Sequence, residues 1–357
     1  MNAKVHFSIL KRRLDPLLVK GEDWQRLPLG SQEQVVERAF RYWRAYGFPY
    51  YRLSNEQVHR EFMNLSNHQS DRVFCKDCLI ASNAGLRLAN AYQKSMWTAR
   101  VSRYLSPMDV FRDDELLRSA LKRALRIWPS RYGANASSLR RMLKTYPGAS
   151  SVSNYRPAIA RAIIARYSPE GGTVVDFSAG YGGRLLGALA TNRSYIGIEP
   201  NRRQVAGYER MKDALRAQYL DLPDPQFIHG AAEDCLPTLQ SRSADLVFSS
   251  PPFFDWEKYS TGTTQSFRRY PDYERWSSHF LLPVISNSYR ILRSGGFFVI
   301  NITNGNRRPS PAEVQPLAEH CGFSLRQTYA MVFPKIPYLH PRDGNPVKQE
   351  VVMVFQR

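Results

Sequence analysis

Cysteine is scarce in this chain: four residues in 357, at positions 75, 78, 235 and 321. So few in so long a chain do not make a disulfide framework. Long apolar runs are missing too. The opening stretch, MNAKVHFSILKRRLD, breaks each hydrophobic run with charge, and it reads as neither a secretory signal nor a membrane span. The expected compartment is the cytoplasm, of a cell or of an infected host. Acidic residues are the third shortage: 31 Asp and Glu stand against 50 Lys and Arg, a formal charge of +19. No internal repeat or low-complexity segment is visible. Hydrophobic residues are plentiful, and at 43% they exclude a disordered chain.

The length suggests two domains. The basic excess is uneven. Residues 1–150 hold 26 Lys and Arg against 13 Asp and Glu, a balance of +13, while the remainder holds 24 against 18, or +6. A phosphate backbone suits such a surface, and its binding would depend on salt. A merely soluble basic protein and attraction to anionic membrane are the blander readings. Nucleic acid is preferred because aromatics accompany the charge, and no membrane partner is expected.

Helical spacing dominates the first 150 residues. Val35, Val36, Phe40, Trp43 and Ala45 fall on one face of Gln32 to Tyr46, with Arg38, Arg41 and Arg44 on another. Asn83 to Tyr104 reads as a further helix, broken by Ser106-Pro107. Asp113, Asp114 and Glu115 open the next, which carries Leu117, Leu121, Leu125 and Trp128 until Pro129 ends it. His59, His68, Cys75 and Cys78 are zinc-ligand types, and Cys-x-x-Cys is a common half-site. The histidines are nine apart, outside the usual spacing, so two thiols and two surface histidines is the preferred reading. Residues 130–155, rich in Ser, Gly, Ala, Asn and Tyr, place the boundary near 150.

Beyond it strands and helices alternate. Strand patterns cover Thr173 to Phe177, Tyr195 to Glu199, Gln226 to Gly230, Asp245 to Phe248, Phe297 to Ile302, Ser324 to Phe333 and Gln349 to Phe355. Helices are expected at Ala158 to Tyr167, Arg203 to Tyr219, Tyr273 to Leu292 and Ala312 to Cys321. Such alternation implies a parallel sheet covered on both faces, and the last two strands suggest an antiparallel hairpin at one edge.

Two turns carry chemistry. After the first of these strands comes Ser178-Ala179-Gly180-Tyr181-Gly182-Gly183, where glycines let a ligand approach the backbone. Glu199, twenty-three residues after Asp176, closes the second strand and can accept hydrogen bonds from both ribose hydroxyls. The second turn, Ser249-Ser250-Pro251-Pro252-Phe253-Phe254, follows the strand Asp245 to Phe248. Consecutive prolines make a stiff exit that aims a hydroxyl and carbonyls outward, with a ring beside them. A flat nucleobase fits that arrangement.

Ser250-Pro251-Pro252-Phe253 resembles motif IV of the S-adenosylmethionine-dependent amino-methyltransferases, the family of the DNA N4-cytosine and N6-adenine enzymes. Asp176-Phe177-Ser178-Ala179-Gly180-Tyr181-Gly182-Gly183 is similar to their motif I. The resemblance covers about 150 to 357. It implies a class I fold: a Rossmann-like seven-stranded α/β sheet, here with a mainly helical basic domain over 1–150 that would recognise the target, and a methyltransferase domain over 151–357. It implies S-adenosylmethionine as cofactor, with Phe177, Ser178, Ala179 and Gly180 against its methionine part and Asp176, Gly180 and Gly182 shaping the pocket. Glu233 and Asp234 stand where the family contacts adenine, and Tyr155, Arg156 and Pro157 where motif X closes the methionine end. Ser250 and the Pro251 carbonyl would take the two N–H bonds of an exocyclic amine, and Phe253 would stack on the base. The order X, I, IV belongs to a class that usually carries target recognition after the core, and here the last strand ends the chain. Recognition therefore falls to 1–150, or to the insertion Asp255 to Asp272 with Phe254 beside it, where Tyr259, Arg268 and Arg269 offer a basic and aromatic set.

The preferred function is transfer of a methyl group to an exocyclic amine of a flipped DNA base, N4-cytosine slightly favoured over N6-adenine. An RNA base methyltransferase and a non-catalytic nucleic-acid binder on a relict fold stay open. The target sequence and the oligomeric state are not legible.

Overall fold

The computed structural model of the chain describes residue 24 and residues 26–127, 134–304, 308–333 and 349–357. The opening stretch and the helix end read at Trp128 and Pro129 lie outside the described residues. No helix among the described residues is long and apolar enough to cross a membrane.

The chain divides into two compact units, and they do not follow a single cut near 150. One holds residues up to 51 together with 96–152, and the other holds 52–95 together with 153–357. Apolar burial is the reason. Val58, Phe62 and Leu65, on the helix Asn55–Ser66, are buried in one cluster with Ile159, Ala162 and Ile163. Burying each such large side chain contributes roughly 1.5–3 kcal/mol. Ser54 starts this helix: its hydroxyl accepts from the Gln57 N–H, and the Gln57 side chain accepts from the Ser54 N–H.

The first unit carries the helices Leu29–Tyr46, Pro107–Arg112, Asp114–Ile127 and Ala136–Lys144. Val35, Val36, Phe40 and Trp43 form the buried face of the first. Two of its stripe arginines are engaged within their own unit. Arg44 donates to the carbonyls of Phe111 at 2.6 Å and Arg112 at 3.0 Å, and Arg41 pairs with Glu37 at 3.2 Å. Arg38 is exposed. The long helix expected from Asn83 to Tyr104 is interrupted. Leu86–Tyr92 is α-helical, then Gln93 leaves helical geometry at φ −108° and ψ 69°, and a 3-10 turn follows at Lys94–Trp97. The buried Gln93 amide causes the exit by donating to the Gln204 carbonyl at 3.1 Å.

The second unit is built on a mixed sheet of eight strands: β1 (Cys78–Ile80), β2 (Thr173–Asp176), β3 (Ser194–Glu199), β4 (Gln226–His229), β5 (Ala244–Ser249), β6 (Leu292–Asn304), β7 (Ser324–Val332) and β8 (Gln349–Gln356). Their order across the sheet is β1-β7-β8-β6-β5-β2-β3-β4. All pairings are parallel except those of β8, which runs antiparallel to both β6 and β7. The sheet corrects the expected count of seven. β1 comes from the segment assigned by sequence to the first domain and pairs Leu79 with Met331, so the β7–β8 hairpin does not lie at the edge. Three residues give too short an apolar alternation to be read as a strand.

The helix expected from Tyr273 to Leu292 contains a π-helical turn at Ser277–Leu281 before Leu282–Ile291. Pro283 follows that π turn directly, within a run that stays helical through Leu281 and Leu282, so the irregular turn lies where the ladder lacks an N–H. Two glycines of the turn after β2 sit in close contact. A Cβ on Gly182, at φ +80°, would lie 2.7 Å from Met211 Cε, and one on Gly183 would lie 2.1 Å from the Tyr155 carbonyl oxygen. Gly183 lets the helix Gly183–Leu189 start directly against the chain that enters Pro157–Tyr167.

Candidate active site

One cavity of the second unit is lined by both chemical turns. Phe177, Ser178 and Gly180 from the glycine-rich turn meet Ser250, Pro251, Pro252 and Phe253 there, and Tyr155, Glu199, Glu233 and Tyr259 line it as well. The sheet explains the meeting. β2 and β5 are neighbours with Val175 beside Val247, so the turns at their C-terminal ends emerge side by side. A hydrogen bond ties them: the Ser178 N–H donates to Ser249 Oγ at 3.0 Å. Ser249, fully buried, thus fixes the turn that presents Ser250.

Asp176 belongs beneath this cavity and does not line it. Its buried carboxylate accepts from Arg184 Nε at 2.7 Å, Tyr195 Oη at 2.7 Å and Ser249 Oγ at 2.8 Å. Arg184 also donates to the Ser178 carbonyl. Burial alone would lower the Arg184 pKa, but Asp176 raises it above its ordinary value. The pair pins the glycine-rich turn from below. Arg184, which does line the cavity, was given no role from sequence, where it only ended the glycine-rich turn.

Glu199 lies in the cavity wall, 5% exposed. Its oxygens accept from the Gly180 N–H at 3.1 Å and the Asn201 N–H at 2.9 Å. Burial pushes its pKa up to about 8, against the pull of these two bonds. Each carboxylate oxygen keeps a lone pair for a donor within the cavity.

Other expected site residues are placed elsewhere. Pro157 opens its helix, and Ala179 is buried with its N–H donating to the Ile198 carbonyl. Gly182 caps a helix. Arg269, expected on a target strand, instead bridges Glu233 at 2.8 Å and Asp234 at 2.7 Å, because the insertion folds back onto the helix Ala232–Cys235. Asp234 is thereby occupied outside the cavity lining. Arg268 donates to the Thr261 carbonyl. Phe254, at φ +48°, packs edge-on to Tyr273 and Trp276 with ring centroids 5.4 and 5.9 Å away, and so braces the turn rather than facing the cavity.

The cavity also brings residues to which the sequence assigned no role. Asn154, Tyr181, Gln204, Gln265, Asn301 and Glu350 line it. Asn154 Oδ1, Tyr155 Oη, Tyr181 Oη, Gln204 Oε1, Gln265 Nε2 and Asn301 Oδ1 are buried without a hydrogen-bond partner. Leaving such groups unpaired costs about 1–3 kcal/mol each, so their convergence on one cavity fits a ligand with several polar groups.

The four zinc-type residues do not converge. Cys75 and Cys78 are joined in a disulfide, and the His59 ring stacks on Tyr219 at 5.6 Å. No group of three or more His, Cys, Asp or Glu able to hold a metal occurs among the described residues.

The strand order, with β8 reversed between parallel neighbours, is that of an α/β Rossmann-like methyltransferase fold, enlarged here to eight strands. No family model matches the chain. An 85-residue stretch is 39% identical to a type II methyltransferase, M.BglI, of Bacillus subtilis; it covers 24% of this chain and 22% of that protein, about a fifth of the relative's length. A SAM-dependent methyltransferase from Methanosarcina mazei overlaps 55% of this chain and 96% of its own at 16% identity, with a TM-score of 0.40. A magnesium protoporphyrin IX methyltransferase from Synechocystis, solved with SAM bound, overlaps 56% and 76% at 13% identity and a TM-score of 0.38. Overlaps at these scores carry no information on substrate.

Proposed function

We propose that this chain is an S-adenosylmethionine-dependent methyltransferase acting on an exocyclic amine of a DNA base, with cytosine N4 preferred to adenine N6. The observation that carries the reading is the shared cavity: the glycine-rich turn and Glu199 line one side of it, and Ser250-Pro251-Pro252-Phe253 the other. The 85-residue stretch that is 39% identical to a protein named as a type II methyltransferase supports it.

The unpartnered polar atoms fit a cofactor that carries a ribose, a base and an amino acid. Glu199 would accept from the ribose hydroxyls. Phe177, Ser178 and Gly180 would lie along the amino-acid part, and Glu233 near the adenine. When bound, S-adenosylmethionine supplies an activated methyl group on a sulfonium, so positioning does most of the work. The amine is a poor nucleophile because its lone pair is delocalised into the ring. Ser250 Oγ and the Pro251 carbonyl accept its N–H bonds, localise the pair and aim it at the methyl. Phe253 stacks on the base.

Residues 1–150 are assigned target recognition, on the +13 charge they carry. The test is mass spectrometry of nucleosides after incubation of purified protein with cofactor and either DNA or tRNA. A methylated cytosine or adenine in DNA alone is the expected result. Methylation of tRNA alone replaces DNA with RNA as substrate, and none in either rejects the reading.

A further inference from the structure

Asn301 and Glu350 form a polar array with Ser250. Asn301 is 1% exposed, and its amide Nδ2 donates to Ser250 Oγ at 3.3 Å and to Glu350 Oε2 at 3.0 Å. The sheet sets this geometry. Asn301 pairs with Val352 across β6 and β8, so Glu350, two positions along, stands on the same face as a diagonal neighbour. Both residues line the cavity beside Ser250. Since Asn301 Nδ2 is engaged, its unpartnered Oδ1 is an acceptor. Asn301 thus joins Ser250 Oγ and the Glu350 carboxylate, two acceptors from residues that line the cavity, through one amide.

The array lies within reach of a cation. The Arg156 guanidinium lines the same cavity, lies 5.7 Å from the Phe333 ring centroid, and interacts electrostatically with Glu350.

Resting on the methyl-transfer reading above, we propose that Glu350 is a catalytic residue that takes the proton the amine sheds, and that Asn301 positions it against Ser250. The amine nitrogen uses its lone pair to form the N–C bond. The C–S bond breaks, and its electron pair stays on sulfur. As the N–C bond forms and positive charge grows on the nitrogen, one of its protons passes to the Glu350 carboxylate, which returns it to solvent. Withdrawal of the proton as the N–C bond forms keeps positive charge from building on the ring.

The test is Glu350→Gln, which keeps shape and an acceptor oxygen but cannot take a proton, with Glu350→Asp beside it. Methyl transfer is measured under single turnover at saturating cofactor and DNA from about pH 5 to 8, where neither Arg156 nor the buried Tyr155 hydroxyl, the two titratable groups that face Glu350 among the described residues, changes charge. Saturating cofactor keeps the Glu199 titration out of the profile. The expected result is a rate loss of about 10²-fold in Glu350→Gln, the scale of a positioned base, with cofactor Kd unchanged and the acid limb of the pH profile flattened. Glu350→Asp retains the limb at a lower rate. A Glu350→Gln rate within about twofold of wild type, or the same acid limb in both, overturns the proposal. Should Glu350→Gln fail to bind cofactor, Glu350→Asp decides: loss of the acid limb there overturns it. If the wild-type protein transfers no methyl group, the methyltransferase reading fails first and takes this inference with it.

Discussion

Arg184 and Asp176 form a buried ion pair beneath the glycine-rich turn, with Nε and Oδ2 2.7 Å apart and side chains 5% and 0% exposed. Tyr195, Ser249 and the Ser178 N–H also donate to Asp176, so nearly every direction of the carboxylate is satisfied.

Arg184→Leu should therefore destabilise the protein by about 3–5 kcal/mol, because it leaves the Asp176 charge buried and alone. Replacing both partners, as Arg184→Leu with Asp176→Leu, should cost less than the single change. Denaturant titration of the two variants checks this. Equal losses would mean that the pair matters for its shape and not for its charge.

Glu199 gives cofactor binding a pH dependence. The ribose hydroxyls and the cationic sulfonium favour its carboxylate form, and burial raises its pKa to about 8. Below that pH, binding must expel a proton. Affinity should rise with pH, at most by roughly tenfold per unit, and level off above 8. The ligand-free fold responds oppositely: a proton held more tightly in the folded state stabilises at low pH, and that contribution is lost as pH passes through 8. Calorimetry on wild type and Glu199→Gln should show the slope in the first and a flatter response in the second.

Ser250→Ala and Phe253→Ala should fail in different ways. The first removes the acceptor proposed to act in the transition state, and kcat should fall on the order of 10²-fold with cofactor affinity kept. The second should mainly raise the Kd for DNA, since base–aromatic stacking is worth roughly 1–3 kcal/mol. Near-normal turnover of Ser250→Ala on saturating DNA would reject an amine acceptor held by this turn.

Arg269→Ala tests the insertion. Its guanidinium already holds Glu233 and Asp234, so loss of the side chain should hardly alter DNA affinity. Cofactor KM should rise several-fold, because the half-buried Glu233 at the cavity wall loses its counter-ion. A large drop in DNA binding with unchanged cofactor KM would return Arg269 to the target strand.

The sequence revealed what is local. A strand, a turn and the next residues are contiguous, so Asp176 to Gly183 and Ser249 to Phe254 could be read, and the spacing to Glu199 with them. Residues that enter from distant strands could not. Asn301 looks like one polar residue in an apolar run, and Glu350 like the start of a last strand; only the β6–β8 register brings them to Ser250. Arg269 looked free because its partners lie 36 and 35 residues away. Phe254 looked like Phe253, yet its positive φ turns it to the core.

The edge strand β1 has a consequence for the order of events on the ribosome. It is made early, together with the helix Asn55–Ser66, but Gln327 reaches back 250 residues to Asp77 when the sheet closes around it. Val58, Phe62 and Leu65 therefore leave the exit tunnel long before the residues that cover them. Contacts so distant in sequence form slowly, since the loop must close before burial repays it. The segment 52–95 must wait, exposed and apolar, while another unit's 96–152 is still being translated. Nascent chains of this protein should thus lean on chaperones during that interval, and a fragment begun at residue 151 is missing one edge of its own sheet.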